Sequence, residues 1–320
     1  MKRFLTYTID AKQEGMSVQK FLKDIPRLSK NQIRSLKFQE EGITVNGHKA
    51  RTTYLLAAGD ILKIQAEPSK TDTKHLQPLK QPLDILYENP DVLVVNKPAG
   101  ILVHPSGCHF QDTLSNMAAS YFLEKGEQTA IRPIGRLDKD TSGAVLFAKN
   151  KIAAAFLSGQ KGHEKFKKEY LAVVSGAPSP ARGEISVPLS VCSNSPLKMA
   201  PDPVGGKPAW TVYRTESLLK DGNALLSIRL FTGRTHQIRA HMAYLGHPLL
   251  GDSLYGENVR LQASSPPISK CSSHEKPADG APFSRAALHA AQIEFCLPFF
   301  DEKVIVKAPL PEDFQEYLSL

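Results

Sequence analysis

The sequence predicts an α+β protein, with a large mixed, mainly antiparallel sheet flanked by helices and a small N-terminal α+β domain. Three observations predict it. Short β-rich runs at 92–97, 144–148, 170–174 and 225–230 are interleaved with helix-like segments. A polar, Pro-containing stretch at 67–82 has linker composition and divides residues 1–66 from 83–320. Positive charge gathers on the small side of that division: residues 1–70 hold 13 Lys/Arg against 7 Asp/Glu, and the remainder 27 against 25. A basic module on a nearly neutral body fits a polyanion-binding domain, and it fits a solvated basic face about as well.

Within residues 1–66, Ser29 and Gln32 have the spacing of a capping box and start a helix. In that helix Ile33 and Leu36 can face inward, while Lys30, Arg34 and Lys37 share an outer face. Asn46-Gly47 sits between two short extended runs, the signal of a tight hairpin. Gly59-Asp60 then turns the chain into a closing strand at 61–64. In the larger part, 152–157 reads as a helix. So does 234–245, with Ile238, Met242 and Leu245 on its inner face and Gly246 as its stop. Residues 258–284 are rich in Ser, Pro and Lys without hydrophobic periodicity, and are expected to form a mobile insertion.

Composition narrows the chemistry. Hydrophobic residues make up 41% and charged residues 22%, ordinary for a globular protein. No apolar run approaches the roughly 20 residues that cross a bilayer, and no signal-peptide stretch follows the basic start, so no membrane partner and a cytoplasmic location are expected. Cys108, Cys192, Cys271 and Cys296 are scattered without a C-x-x-C pair, and His236 and His241 lack metal-site spacing. No metal, no nucleotide cofactor and no other cofactor is expected. Nothing demands more than a monomer.

The most informative stretch is Gly135-Arg136-Leu137-Asp138-Lys139-Asp140-Thr141-Ser142-Gly143, a polar turn leading into the strand at 144–148. A rigid strand beside a polar loop can hold a reactive group in place. Taken alone, Asp138 and Asp140 fit a turn that satisfies its own backbone better than they fit a reaction centre.

Arg136-Leu137-Asp138 with Thr141-Ser142-Gly143 resembles the signature of the RluA family of pseudouridine synthases. Four further blocks resemble that family's in the same order: Asn96-Lys97-Pro98-Ala99-Gly100 with Val103-His104-Pro105, then Lys168-Glu169-Tyr170, Thr232 to Arg239, and Leu288-His289-Ala290. Together they span about residues 83–310. One position departs: Gly135 stands where many members have His. In the N-terminal part, Ser29 to Lys37, Val45-Asn46-Gly47 and Gly59-Asp60 resemble an S4-like RNA-binding domain.

The resemblance implies isomerisation of uridine to pseudouridine in a structured RNA. Large-subunit rRNA is favoured, because synthases with this appended domain usually act there, and tRNA is the alternative. It implies that Asp138 is the nucleophile, whether it attacks the anomeric carbon, adds to the uracil ring or assists an elimination. A neighbouring guanidinium lowers a carboxylate's pKa by about 1–3 units, and the resemblance assigns that partner to Arg239. It makes Tyr170 the residue stacking on the flipped base, Arg136 the filler of the vacated position or a phosphate contact, and Leu288 the pocket floor. Lys30, Arg34 and Lys37 are expected on phosphates. His236, His241 and His289 are expected in structural or RNA-contact roles, and Asp140 in the turn. A non-catalytic RNA-binding assembly factor would need a damaged signature. A retaining glycosidase using Asp138 and Asp140 would need carboxyls about 5–5.5 Å apart across a sugar bond.

Overall fold

In the computed structural model, residues 4–65, 76–127, 129–160, 165–193, 195–256, 282–298 and 302–319 are described. The N-terminal part runs β1 (Phe4–Thr8), α1 (Val18–Asp24), α2 (Lys30–Lys37), β2 (Ile43–Val45), β3 (His48–Lys49) and β4 (Ile61–Gln65), with its own sheet in the order β1-β4-β2-β3. Ser29 and Gln32 form the expected capping box: the Ser29 hydroxyl accepts from Gln32 N–H and Gln32 Oε1 accepts from Ser29 N–H. Ile33 and Leu36 are buried, Lys30, Arg34 and Lys37 exposed. Asn46 and Gly47 turn the hairpin with φ of 51° and 83°, as two-residue turns require. β1 has no counterpart in the elements expected from sequence. It closes the sheet on β4, with Leu5 buried against Ile64.

The larger part contains β5 (Ile85–Glu88), β6 (Val92–Lys97), α3 (Leu114–Glu124), β7 (Arg132–Pro133), β8 (Ser142–Ala148), α4 (Lys151–Gln160) and β9 (Lys167–Val174). It continues through β10 (Arg182–Ile185), β11 (Leu189–Cys192), β12 (Ser195–Pro201), β13 (Thr211–Leu218), β14 (Ala224–Leu230) and α5 (Gln237–Tyr244). It ends with β15 (Leu288–Cys296), β16 (Lys303–Lys307) and α6 (Glu312–Ser319). Ten strands make one sheet along β10-β13-β14-β9-β15-β8-β6-β5, with β16 on β15 and β7 on β8. β8 and β15 run parallel and the other pairings are antiparallel, the mixed, mainly antiparallel sheet expected.

Both faces of the central strands are covered, which is why they read as unbroken apolar runs. On β6 and β8, Leu93, Val95, Val145 and Phe147 point into a cluster with Leu114, Met117 and Phe122 of α3 and Ile238 and Met242 of α5. Their neighbours Val92, Val94, Ala144 and Leu146 point the other way, onto Ala153 and Leu157 of α4. That alternation is the two-residue period of a strand. The first cluster also holds Leu137, Tyr170 and Leu288, so the candidate site grows from that face.

Three boundaries differ from expectation. The expected linker lies partly outside the described residues, but its end is pinned to the body: Leu76 is buried, Asn116 Nδ2 donates to Gln77 O at 2.7 Å, and Leu79 N–H donates to Asn116 O at 3.0 Å. Most of the expected insertion lies outside the described residues. Its last part does not behave as one, because Phe283 is buried edge-on against Phe314 and Tyr317. The expected helix at 234–245 starts only at Gln237, and Leu245 is its C-cap, 36% exposed rather than on the inner face. The residues before it are occupied by a cap: Gln237 Oε1 accepts from Arg234 N–H and from the Thr232 hydroxyl, both at 2.9 Å.

Candidate active site

The signature loop alternates what it buries. Leu137 is anchored in the apolar cluster with Tyr170 and Leu288, Arg136 on one side is exposed, and the Asp138 side chain on the other is 28% exposed. A carboxylate held at the rim of an apolar cluster can meet a partly desolvated substrate. Gly135 has φ +92°, a conformation that a side-chain-bearing residue seldom adopts, so the loop's course here suits the glycine that replaces the usual His. Gly143 has φ +111°, and a Cβ there would lie 2.3 Å from Ala290 O. The signature ends in glycine because β8 and β15 touch backbone to backbone at this point.

Two cations, buried Lys97 and part-buried Arg285, hold the loop by the carbonyls of Lys139 and Asp140. Lys97 Nζ is fully buried and donates to Pro98 O, Ile101 O and Lys139 O, each at 2.8 Å. Lys139 O also accepts Gly100 N–H at 3.0 Å. Burial pulls the Lys97 ammonium down to about 7, against the nearby charges of Asp140 and Asp138. From the other side, Arg285 donates to Asp140 O at 3.0 Å and Leu288 O at 3.1 Å, and is itself held by Asp313 at 2.8 and 3.0 Å. His289 Nδ1 bonds the Ser142 hydroxyl at 2.9 Å, and burial lowers this imidazole to about 4, so the neutral ring is the structural partner. The blocks at 96–100 and 288–290 thus meet at the loop between them.

Arg239 arrives on α5. Its Nη1 lies 3.8 Å from Asp138 Oδ2, but its close partner is Asp252: Nε and Nη2 donate to the two carboxylate oxygens at 2.7 Å each. Asp252 Oδ1 also accepts the N–H groups of Leu254 and Tyr255 at 3.0 and 3.1 Å, which fixes the carboxylate. The Tyr255 ring lies 5.2 Å from the guanidinium carbon, and its hydroxyl accepts Met199 N–H at 2.7 Å. Burial pushes the Tyr255 phenol up to about 12. Arg239 is therefore a buried cation already balanced by one carboxylate, with a third nitrogen presented to another.

Asp138, Tyr170 and Arg239 come together. Burial raises the Tyr170 phenol's pKa, and the charge of Asp138 raises it further, which keeps the hydroxyl protonated. Leu288 is buried in the same cluster as Tyr170. Arg136 is exposed beside His104, whose pKa is lowered by burial and by that guanidinium. His236 sits near Asp138 and edge-on to Tyr255, Nδ1 3.3 Å from its hydroxyl, with a left-handed φ of 50°. His241 is a satisfied core residue, bonded to the Thr211 hydroxyl and Val187 O at 2.8 and 2.9 Å. Lys30, Arg34 and Lys37 lie apart, on the N-terminal domain. Asp252, Tyr255 and Arg285 were not anticipated; the trace available was Gly251-Asp252 with Tyr255 three residues on, and nothing in that spacing points back to Arg239. Among the described residues no group of His, Cys, Asp or Glu could hold a metal ion, and no helix is long and apolar enough to cross a membrane.

The Asp138 carboxylate thus stands at the edge of the apolar cluster that holds Leu137, Tyr170 and Leu288, beside an arginine already balanced by Asp252. Residues 91–244 match the family model described as RNA pseudouridylate synthase. The chain is 34% identical to the uncharacterized RNA pseudouridine synthase YhcT of Bacillus subtilis (strain 168), over 98% of this chain and 96% of that one. It is also 34% identical to ribosomal large subunit pseudouridine synthase D of Yersinia pestis, over 98% and 94%. Its fold matches human RNA Pseudouridylate Synthase Domain Containing 1 with a TM-score of 0.53 and 29% identity, over 72% of this chain and 84% of that one. The chain belongs to the RNA pseudouridylate synthase family. It is an RNA-modifying isomerase that makes pseudouridine, and the glycosidase reading of Asp138 and Asp140 falls away.

Proposed function

We propose that this enzyme isomerises a uridine of large-subunit rRNA, with Asp138 as the nucleophile acting on a nucleoside flipped out of its stack. The observation that carries the reading is the Asp138 carboxylate, part exposed and 3.8 Å from the buried Arg239. A carboxylate can add to an electrophilic carbon and leave again. Because Arg239 is already paired with Asp252, it stands beside Asp138 without locking it into a short bond. A stacked uridine must leave the helix before a side chain can reach it. In this reading exposed Arg136 occupies the gap, Tyr170 packs on the extruded base and Leu288 floors the pocket.

The N-terminal domain is read as an S4-like RNA-binding module, with Lys30, Arg34 and Lys37 on phosphates. The large-subunit target draws on the relative from Yersinia pestis, whose name states that substrate and whose length this chain nearly spans. The test is Asp138→Asn, assayed on large-subunit rRNA tritiated at the uracil carbon that becomes the new glycosidic atom. Tritium release should vanish while RNA affinity stays within about twofold. Near-normal release by the Asn variant removes Asp138 from the chemistry.

A further inference from the structure

We propose that His236 binds the target uracil: the Tyr255 hydroxyl locks its ring in the tautomer that carries the proton on Nε2, and Nε2–H donates a hydrogen bond to a carbonyl oxygen of the base beside Asp138. The inference rests on the reading of Asp138 above and deepens it by naming a contact to the base.

His236 is placed at a cost, and not for the sake of its helix. It stands at the N-cap of α5 with a left-handed φ of 50°, a conformation that a residue with a side chain keeps only when its surroundings hold it there. Its ring makes no capping bond; Gln237 serves the turn instead, accepting from Arg234 N–H at 2.9 Å. The imidazole turns to Tyr255, edge-on with ring centroids 5.8 Å apart and Nδ1 3.3 Å from the hydroxyl. Of the charges that act on it, that of Asp138 is the strongest, ahead of Arg239, Asp252 and Asp140. One edge of the ring is committed to Tyr255, and the ring lies beside the reacting carboxylate.

Hydrogen bonding sets the tautomer. The Tyr255 oxygen accepts Met199 N–H at 2.7 Å, a group that can only donate. Burial pushes the phenol up to about 12, so it keeps its own proton, and Nδ1 of His236 lies within reach to accept it. Burial lowers the pKa of His236 against the pull of Asp138, which favours the neutral ring. A neutral imidazole that accepts at Nδ1 carries its proton on Nε2. Tyr255 is itself anchored: its N–H donates to Asp252 Oδ1 at 3.1 Å, and its ring lies 5.2 Å from the Arg239 guanidinium carbon. One tyrosine therefore aligns both His236 and Arg239 beside Asp138. A neutral donor suits the carbonyl oxygen of a neutral base, whereas a phosphate is better met by a cation.

Nitrogen NMR of the full-length protein, with its histidines labelled in both ring nitrogens, reads the tautomer without RNA. The resonances lost in His236→Asn should show a bare Nδ1 and a protonated Nε2, and Tyr255→Phe should mix the two tautomers. Activity is read on a transcript of bacterial large-subunit rRNA. The Gln amide nitrogen reaches the place of Nε2 and can donate there, whereas that of Asn reaches only the place of Nδ1. Asn tolerates the left-handed backbone, so its defect is one of reach. His236→Asn should lower kcat/KM roughly tenfold, the loss of one hydrogen bond, and His236→Gln should stay within about threefold of the wild type. Sulfur accepts poorly, so a transcript carrying either 2-thiouridine or 4-thiouridine should abolish the difference between Asn variant and wild type. The proposal is overturned by a proton on Nδ1, by a His236→Asn protein that melts like the wild type and keeps its kcat/KM, or by a difference that persists on both thio transcripts. The two readings fail separately. An active Asp138→Asn protein sinks the nucleophile and leaves this contact standing; an inactive one beside a fully active His236→Asn sinks the contact alone. Should the wild type leave this transcript unmodified, the large-subunit target falls and the ring nitrogens still decide the tautomer.

Discussion

Asp252→Asn tests whether Arg239 acts as a cation held in reserve. In the native protein the two side chains are 0% and 7% exposed and share two bonds of 2.7 Å. The amide keeps one acceptor oxygen, removes one charge-assisted bond and leaves the guanidinium's charge unbalanced in the interior. Breaking one side of a buried pair costs about 3–5 kcal/mol; with one bond retained, about 3 kcal/mol is expected, a fall in Tm of roughly 6–12 °C. Freed from Asp252, Arg239 has one other carboxylate close by. Closing from 3.8 Å to about 2.8 Å deepens the attraction to Asp138 by roughly 1.5 kcal/mol at an effective dielectric of about 20, about tenfold in rate if that contact must be broken for attack. Calorimetry and single-turnover kinetics on saturating RNA read the two effects separately. The double variant Arg239→Gln/Asp252→Asn should regain part of the stability, since the unpaired charge is gone. An Asp252→Asn protein with native Tm and native single-turnover rate refutes the positioning role.

Three further outcomes follow from the same geometry. Lys97→Met leaves three carbonyls without their shared donor, so stability should fall by about 2–3 kcal/mol and kcat by more than about tenfold with RNA affinity retained; an unchanged kcat means the loop holds its shape without the ammonium. His289 binds its proton less readily folded (about 4) than unfolded (about 6.5). The unfolded chain therefore takes up more protons in that interval, and stability should drop as pH falls through it, by about 3 kcal/mol in all. His289→Gln should remove this acid sensitivity in urea titrations, and a persistent one would place it elsewhere. Replacing Lys30, Arg34 and Lys37 together with Gln should lower the salt dependence of RNA binding by roughly 2–3, and an unchanged slope returns this face to bulk solvent.

The sheet was legible because its central strands are apolar on both faces and bounded by Gly, Pro and polar turns; 144–148 could be little else. The capping box at Ser29 and Gln32 and the Asn46-Gly47 hairpin were legible because those signals are local. β1 was missed because its pairing with β4 depends on residues almost sixty positions away. At the site, a resemblance in ordered blocks picked out Asp138, Tyr170 and Arg239, which residue spacing alone could not separate from a turn, a core aromatic and a surface arginine. What stayed hidden was the second layer. Asp252 reads as an ordinary turn residue, Arg285 adjoins a stretch without periodicity, and Lys97 reads as the polar end of a strand. Each acts through backbone carbonyls or a partner brought near only by folding.

The role proposed for Asp138 is to carry out the isomerisation on a folded RNA with its one carboxylate. Its most direct test is site-resolved mapping of pseudouridine in large-subunit rRNA from cells lacking the protein, supplied with either the wild type or Asp138→Asn at equal abundance. At least one position should be lost without the protein, restored by the wild type and still missing with Asn. Restoration of the same position by the Asn variant would contradict it.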